Sequence, residues 1–151
     1  MAKHGNLKFG IPDINLACSP ELSINPSSFV GHYLVVLFCS TDAEQGAREI
    51  EAYAKHSREF AAEDAWILAF GDQCGLKPQV GQPLMIADKD RHAWVAFRDL
   101  VESPESLDRG DGATFLFGRG GGLRRYWHGS GHVQEVLEEL HQPAFERHAA
   151  G

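Results

Sequence analysis

Three cysteines are the residues best able to do covalent chemistry in this chain: Cys18, Cys39 and Cys74. A thiolate is both a nucleophile and a redox group. Cys39 ends the apolar run Tyr33-Leu34-Val35-Val36-Leu37-Phe38, and Cys74 follows a second run, Ala65 to Phe70, within Gly71-Asp72-Gln73-Cys74-Gly75. If the two runs are neighbouring parallel strands, both thiols emerge at the carboxyl edge of one sheet, where open α/β sheets place their sites. A redox pair, with Cys39 attacking and Cys74 resolving, is then geometrically conceivable. The competing reading makes Cys39 a small buried hydrophobe and Cys74 an ordinary loop thiol. Cys18 is read as structural, and three widely spaced cysteines make no disulfide framework.

Histidines and glycines offer two further chemistries. His128 and His132 are four apart, but one falls at a strand end and the other at a helix start. With no third ligand nearby in sequence, solvated loop histidines are the better reading, and no metal or cofactor is expected. Gly118-Arg119-Gly120-Gly121-Gly122 could suggest a phosphate cradle. Such loops lead from a strand into a helix, whereas this one leads into another apolar segment, so it reads as a hairpin turn. Arg124 and Arg125 alternate across a strand, which gives one exposed and one paired residue rather than a nucleic-acid patch.

The elements that must position these groups follow from periodicity. Tyr33 to Cys39 is a continuous apolar run and reads as a strand buried on both faces. Thr41 with Glu44 forms a capping box that opens a helix. Its inner stripe is Ala47, Ile50, Ala54, Ser57 and Ala61, widened by Tyr53 and Phe60, with Glu49, Glu51, Lys55 and Arg58 outside. Ala65 to Phe70 is the next strand, completing a right-handed βαβ unit. Leu84 to Ala87 is a shorter strand candidate, and Asp88 or Asp90 can cap a helix carrying Trp94, Val95, Phe97 and Leu100. Ser103 to Gly112 reads as a loop. Ala113–Phe117 and Leu123–Trp127 form a hairpin, and a last helix runs from about Gly131 to His141. Trp66, Trp94 and Trp127 are expected mainly in the core, with any surplus aromatic face available for self-association.

Length and charge bound the class. The chain has 151 residues, 14 Lys+Arg against 21 Asp+Glu, and a formal net charge of -7. That size fits one domain with a core of its own, placed at 1–142, with a frayed tail at 143–151. An acidic balance disfavours broad nucleic-acid or anionic-lipid binding. No apolar run approaches the roughly 20 residues of a membrane span, and no signal core follows the first residues, so a cytoplasmic protein is expected.

From Phe9 to about Leu140 the sequence resembles the peroxiredoxins, the alkyl hydroperoxide reductase and thiol-specific antioxidant family. Gly10-Ile11-Pro12-Asp13-Ile14-Asn15-Leu16 is similar to their amino-terminal G-x-x-A/P-P-D-F-x-L segment. Phe29-Val30-Gly31-His32-Tyr33 is similar to the family's F-R-G-K-x-V-V-L, and Pro83-Leu84-Met85-Ile86-Ala87-Asp88 to P-x-L-S-D. Ala113-Thr114-Phe115-Leu116-Phe117 with Gly122-Leu123-Arg124 resembles x-T-F-x-I-D-x-x-G-x-I-R. The resemblance implies an α/β, thioredoxin-like fold of peroxiredoxin type, with a mixed central sheet flanked by helices. It also implies an antioxidant oxidoreductase and a homodimer.

The family's catalytic motif, P-x-x-x-T-x-x-C, is where the match fails. Read without gaps from Phe38-Cys39, its proline is Ser40, its threonine Glu44 and its nucleophilic cysteine Ala47. The family arginine ahead of T-F is matched by Gly112, with Arg109 the nearest replacement. A thioredoxin-type C-x-x-C is absent too, since Ala43 and Gly46 occupy those places. Alanine has no nucleophile, and Asp42 with Glu44 puts two negative charges where a thiol would have to ionise. The expectation is a redoxin-family protein whose ordinary peroxidase chemistry is lost, its fold retained for binding a small molecule or protein segment or for another redox role. The alternative is an atypical thiol oxidoreductase that works through Cys39 with Cys74 resolving.

Overall fold

The computed structural model describes residues 10–19, 22–71 and 79–142. The amino-terminal nine residues, residues 20–21 and 72–78, and the expected tail at 143–151 lie outside the described residues.

The βαβ unit is present as expected. Strand β3 (Tyr33–Phe38) is buried at every position, and it pairs in parallel with β4 (Ala65–Gly71) from Tyr33 against Ala65 to Phe38 against Phe70. Two strands precede them in the chain, β1 (Leu16–Ser19) and β2 (Leu22–Ile24), which form a separate antiparallel hairpin. Outside β4 lies β5 (Pro83–Ala87), parallel to it. On the other side of β3, β6 (Ala113–Phe117) and β7 (Leu123–His128) run antiparallel, giving the sheet order β5-β4-β3-β6-β7. The glycine loop is the turn between β6 and β7, closed by Gly118 N–H donating to the Gly122 carbonyl at 2.9 Å.

Helices cover both faces because successive β3 side chains alternate between them. Leu34, Val36 and Phe38 pack with Leu68, Phe70 and Phe115 against Trp94 and Phe97 of α3 (His92–Arg98). Tyr33, Val35, Leu37 and Cys39 face the opposite layer, built from α1 (Ala43–Lys55), α2 (Ser57–Ala62) and α4 (Val133–Leu140). The result is a mixed α/β thioredoxin-like sheet with helices on both sides.

Several expectations on the helices need correction. The cap of α1 is Asp42, whose carboxylate accepts from Gln45 N–H, and not Thr41 paired with Glu44. The helix expected to continue past Ser57 breaks at His56. Its inner face is Gly46, Glu49 and Tyr53, while Ala47 and Ala54 are exposed and Glu49 is buried. Alanine is small enough for either environment, so the larger Tyr53 sets the rotation of α1 instead, and Phe60 is buried separately on α2. Asp88 does cap α3, accepting from the backbone N–H of Ala93 and Trp94 at 2.8 and 2.9 Å. Val95 on that helix faces solvent, and the last helix starts at Val133 rather than Gly131.

Candidate functional site

Strand β3 delivers Cys39 to the carboxyl edge of the sheet, and the chain turns through Ser40 and Thr41 into α1. The turn is tied to the loop before β6. Thr41 N–H donates to the Gly110 carbonyl at 3.0 Å, and the hydroxyls of Ser40 and Thr41 reach the same oxygen at 3.3 Å. Ser40 Oγ in turn accepts from Asp42 N–H at 3.1 Å. Between this turn, α1 and the edge of β4 and β5 lies a cleft of about 240 Å³, bordered by Cys39, Ser40, Gly46, Ala47 and Arg109.

Arg109 is the cleft's cationic group. Its Nη1 donates to the Cys39 carbonyl at 2.6 Å, and its guanidinium lies 5.6 Å from the Phe38 ring centre and 5.7 Å from that of Trp94. Two rings and a backbone oxygen therefore hold the guanidinium plane in place. Gly112, the position matched to the family arginine, has no space for a side chain. Its φ is +81°, and a Cβ there would stand 2.2 Å from the Phe38 carbonyl oxygen. The loop thus brings an arginine to this edge from three residues earlier.

The thiol itself is shielded. Cys39 is 7% exposed, and its pKa is pushed up to about 11, first by burial and then by the Glu49 carboxylate, with Arg109 opposing. Ala47 and Glu44 are both exposed on α1, and Glu44 lies 4.0 Å from Arg48. Cys74 lies outside the described residues, so its distance from Cys39 is not part of this geometry. The structure brings Cys39, Ser40, Ala47 and Arg109 around one cleft and sets Gly112 directly behind it.

The comparisons bear on this arrangement as a whole. The mitochondrial 2-Cys peroxiredoxin of Plasmodium falciparum superposes with a TM-score of 0.68 at 16% identity, over 95% of this chain and 97% of that one. The fold is that of the peroxiredoxins. Xanthomonas campestris bacterioferritin comigratory protein, whose alkyl peroxide reduction has been described structurally, gives 0.60 at 24% identity over 87% and 93% of the two chains. Mycobacterium tuberculosis AhpC gives 0.60 at 19% identity, covering 88% and 89%. No family model and no curated protein matches the sequence. Among the described residues, no helix is long and apolar enough to cross a membrane.

Within this peroxiredoxin fold, sequence reasoning missed Glu49. It accepts from Gln45 Nε2 at 3.2 Å through one carboxylate oxygen and from Ser130 Oγ through the other. Ser130 is itself 1% exposed, just after the end of β7. The available signal was the spacing Gly46, Glu49, Tyr53, which puts the glutamate on the same face as the helix's only tyrosine. The two candidate metal ligands do not converge. His128 is exposed, and the His132 ring is engaged by the His128 carbonyl at 2.6 Å and by Glu135 at 2.8 Å.

Proposed function

We propose that this protein is a redoxin-family member that has kept the peroxiredoxin fold, lost thiol-peroxidase chemistry and uses the inherited cleft for binding. The observation that carries the reading is Ala47, a residue without a nucleophile, at the position where the family resemblance requires the peroxide-attacking cysteine. Two features support it. A peroxidatic thiol must ionise near neutral pH, and the nearest described thiol, Cys39, has its pKa raised to about 11. The carboxylates of Asp42 and Glu44 add negative charge to the first turn, opposing thiolate formation there. Arg109, the cationic group of the cleft, suits a small anionic group or an acidic segment of a partner, while the Ser40 and Thr41 hydroxyls are engaged by the Gly110 carbonyl. The resemblance extends the reading to a homodimer, which sedimentation equilibrium reads directly.

The deciding experiment is intact-mass spectrometry of the reduced protein after one equivalent of hydrogen peroxide, sampled within seconds and again over minutes. The expected result is an unchanged mass. A rapid loss of two hydrogens would mean that two thiols had formed a disulfide while peroxide was reduced to two waters. Mapped by digestion to Cys39 and Cys74, that loss overturns the proposal and establishes a relocated thiol site.

A further inference from the structure

Glu49 is the only buried carboxylate among the described residues, at 9% exposed. A buried charge is ordinarily paired, since a carboxylate loses its hydration when it is removed from water. Here no lysine, arginine or histidine nitrogen among the described residues lies within ion-pair distance of it. Its two oxygens each take one neutral donor, Ser130 and Gln45, which leaves acceptor capacity on both.

The carboxylate is not sealed in. It opens on a cavity of about 150 Å³ on the flank of α1 opposite the Cys39 cleft, shared with Ala52, Tyr53, Gly131 and Val133. Tyr53 is fully buried beneath this lining and anchors the helix face that carries Glu49. One end of the cavity is therefore anionic, with Gln45 and Ser130 beside the carboxylate, and Ala52 and Val133 supply its aliphatic surface. Arg48 stands at the rim, its side chain 70% exposed.

We propose that this cavity binds a small ligand with a primary ammonium group on a short aliphatic body. The ammonium would sit on Glu49, supplying the missing positive charge, while its carbons lie against Ala52 and Val133. The space is small and open to solvent on the Arg48 side, which suits a compact guest whose ammonium can reach Glu49. Two sources share this chemistry, a simple alkylamine and a small α-amino acid. They differ in the carboxylate of the amino acid, for which Arg48 is the available partner.

Two-dimensional amide NMR of the full chain tests this with ethylammonium, L-alanine, ethanol and potassium chloride as probes. The expected result is saturable shifts at residues 45–53 and 130–134 with ethylammonium or alanine and none with ethanol or matched potassium chloride. Alanine binding more tightly, with the advantage lost in Arg48→Gln, assigns an amino acid; ethylammonium binding more tightly assigns a simple amine. Glu49→Gln keeps the side-chain shape and should weaken binding at least tenfold. Ala52→Leu fills the cavity without touching the carboxylate and should do the same. Absence of saturable shifts, an equal response to potassium chloride, or undiminished binding in Ala52→Leu overturns the proposal.

Discussion

Cys39 and Glu49 stand on neighbouring elements, and the carboxylate acts on the thiol. Burial and the adjacent carboxylate both disfavour the Cys39 thiolate, raising its pKa from an ordinary 9.0 to about 11. The consequence for stability has a definite sign. Between about pH 9 and 11 the unfolded chain releases this proton and the folded chain keeps it. Stability from this group is therefore complete below pH 9 and lost as pH rises through 11, by about 2–3 kcal/mol from a two-unit shift. Tyr53, also raised by burial, adds a loss of the same sign at still higher pH. Urea denaturation at pH 8 and pH 10.5 should show a smaller drop in Cys39→Ala than in the parent protein. Equal drops would mean that the thiol is not shielded. The same shift predicts that native Cys39 alkylates slowly at pH 8, with a rate still rising at pH 10.

At the scale of elements, the close approach of β6 to the end of β3 decides which residues can occupy the site. Gly112 has its φ at +81° and its missing side chain aimed at the Phe38 carbonyl and at Ser40 N. Gly112→Ala must both adopt a strained backbone and displace that contact, so it should destabilise the fold by about 3 kcal/mol or more. Gly112→Arg, which restores the arginine of the resembling family, should fare no better. A thermal melt within a few degrees of the parent protein for either variant would refute this packing. The need for glycine here was not legible from the sequence, which shows a glycine in a glycine-rich stretch but not the Phe38 carbonyl behind it. Strands β3, β4 and β6 were legible because unbroken apolar runs have few other fates. The phase of α1 was not, because its stripe of alanines carries little burial energy and Glu49 finds its partner 81 residues away in Ser130. The hairpin of β1 and β2 was missed as well, its strands being only four and three residues long. Arg109 was reached only through a family comparison, since an arginine in a polar loop carries no local sign that it will lie over Phe38 and Trp94.

Considered as a whole molecule, the chain combines a peroxiredoxin fold with an acidic charge balance. The formal net charge is -7, and at the start of α1 Asp42 caps the helix while Glu44 stands exposed in its first turn. The partial positive charge of a helix N-terminus stabilises an anion by about 0.3–1 kcal/mol near the surface, and each nearby carboxylate works in the opposite direction. Ala47→Cys, made with Cys39→Ala and Cys74→Ala, separates the missing nucleophile from its unfavourable surroundings. Position 47 is exposed, so the substitution itself should be tolerated. If the surroundings oppose ionisation, the new thiol keeps a pKa of about 8.5 or above and reacts with hydrogen peroxide no faster than an unperturbed thiol. Adding Glu44→Thr removes one of the two charges and should lower that pKa and raise the rate, read from alkylation and peroxide consumption across pH 6 to pH 10. Rapid peroxide reduction at neutral pH by Ala47→Cys alone would instead mean that the cleft still activates a thiol, and that Ala47 is the single change separating this chain from peroxidase activity.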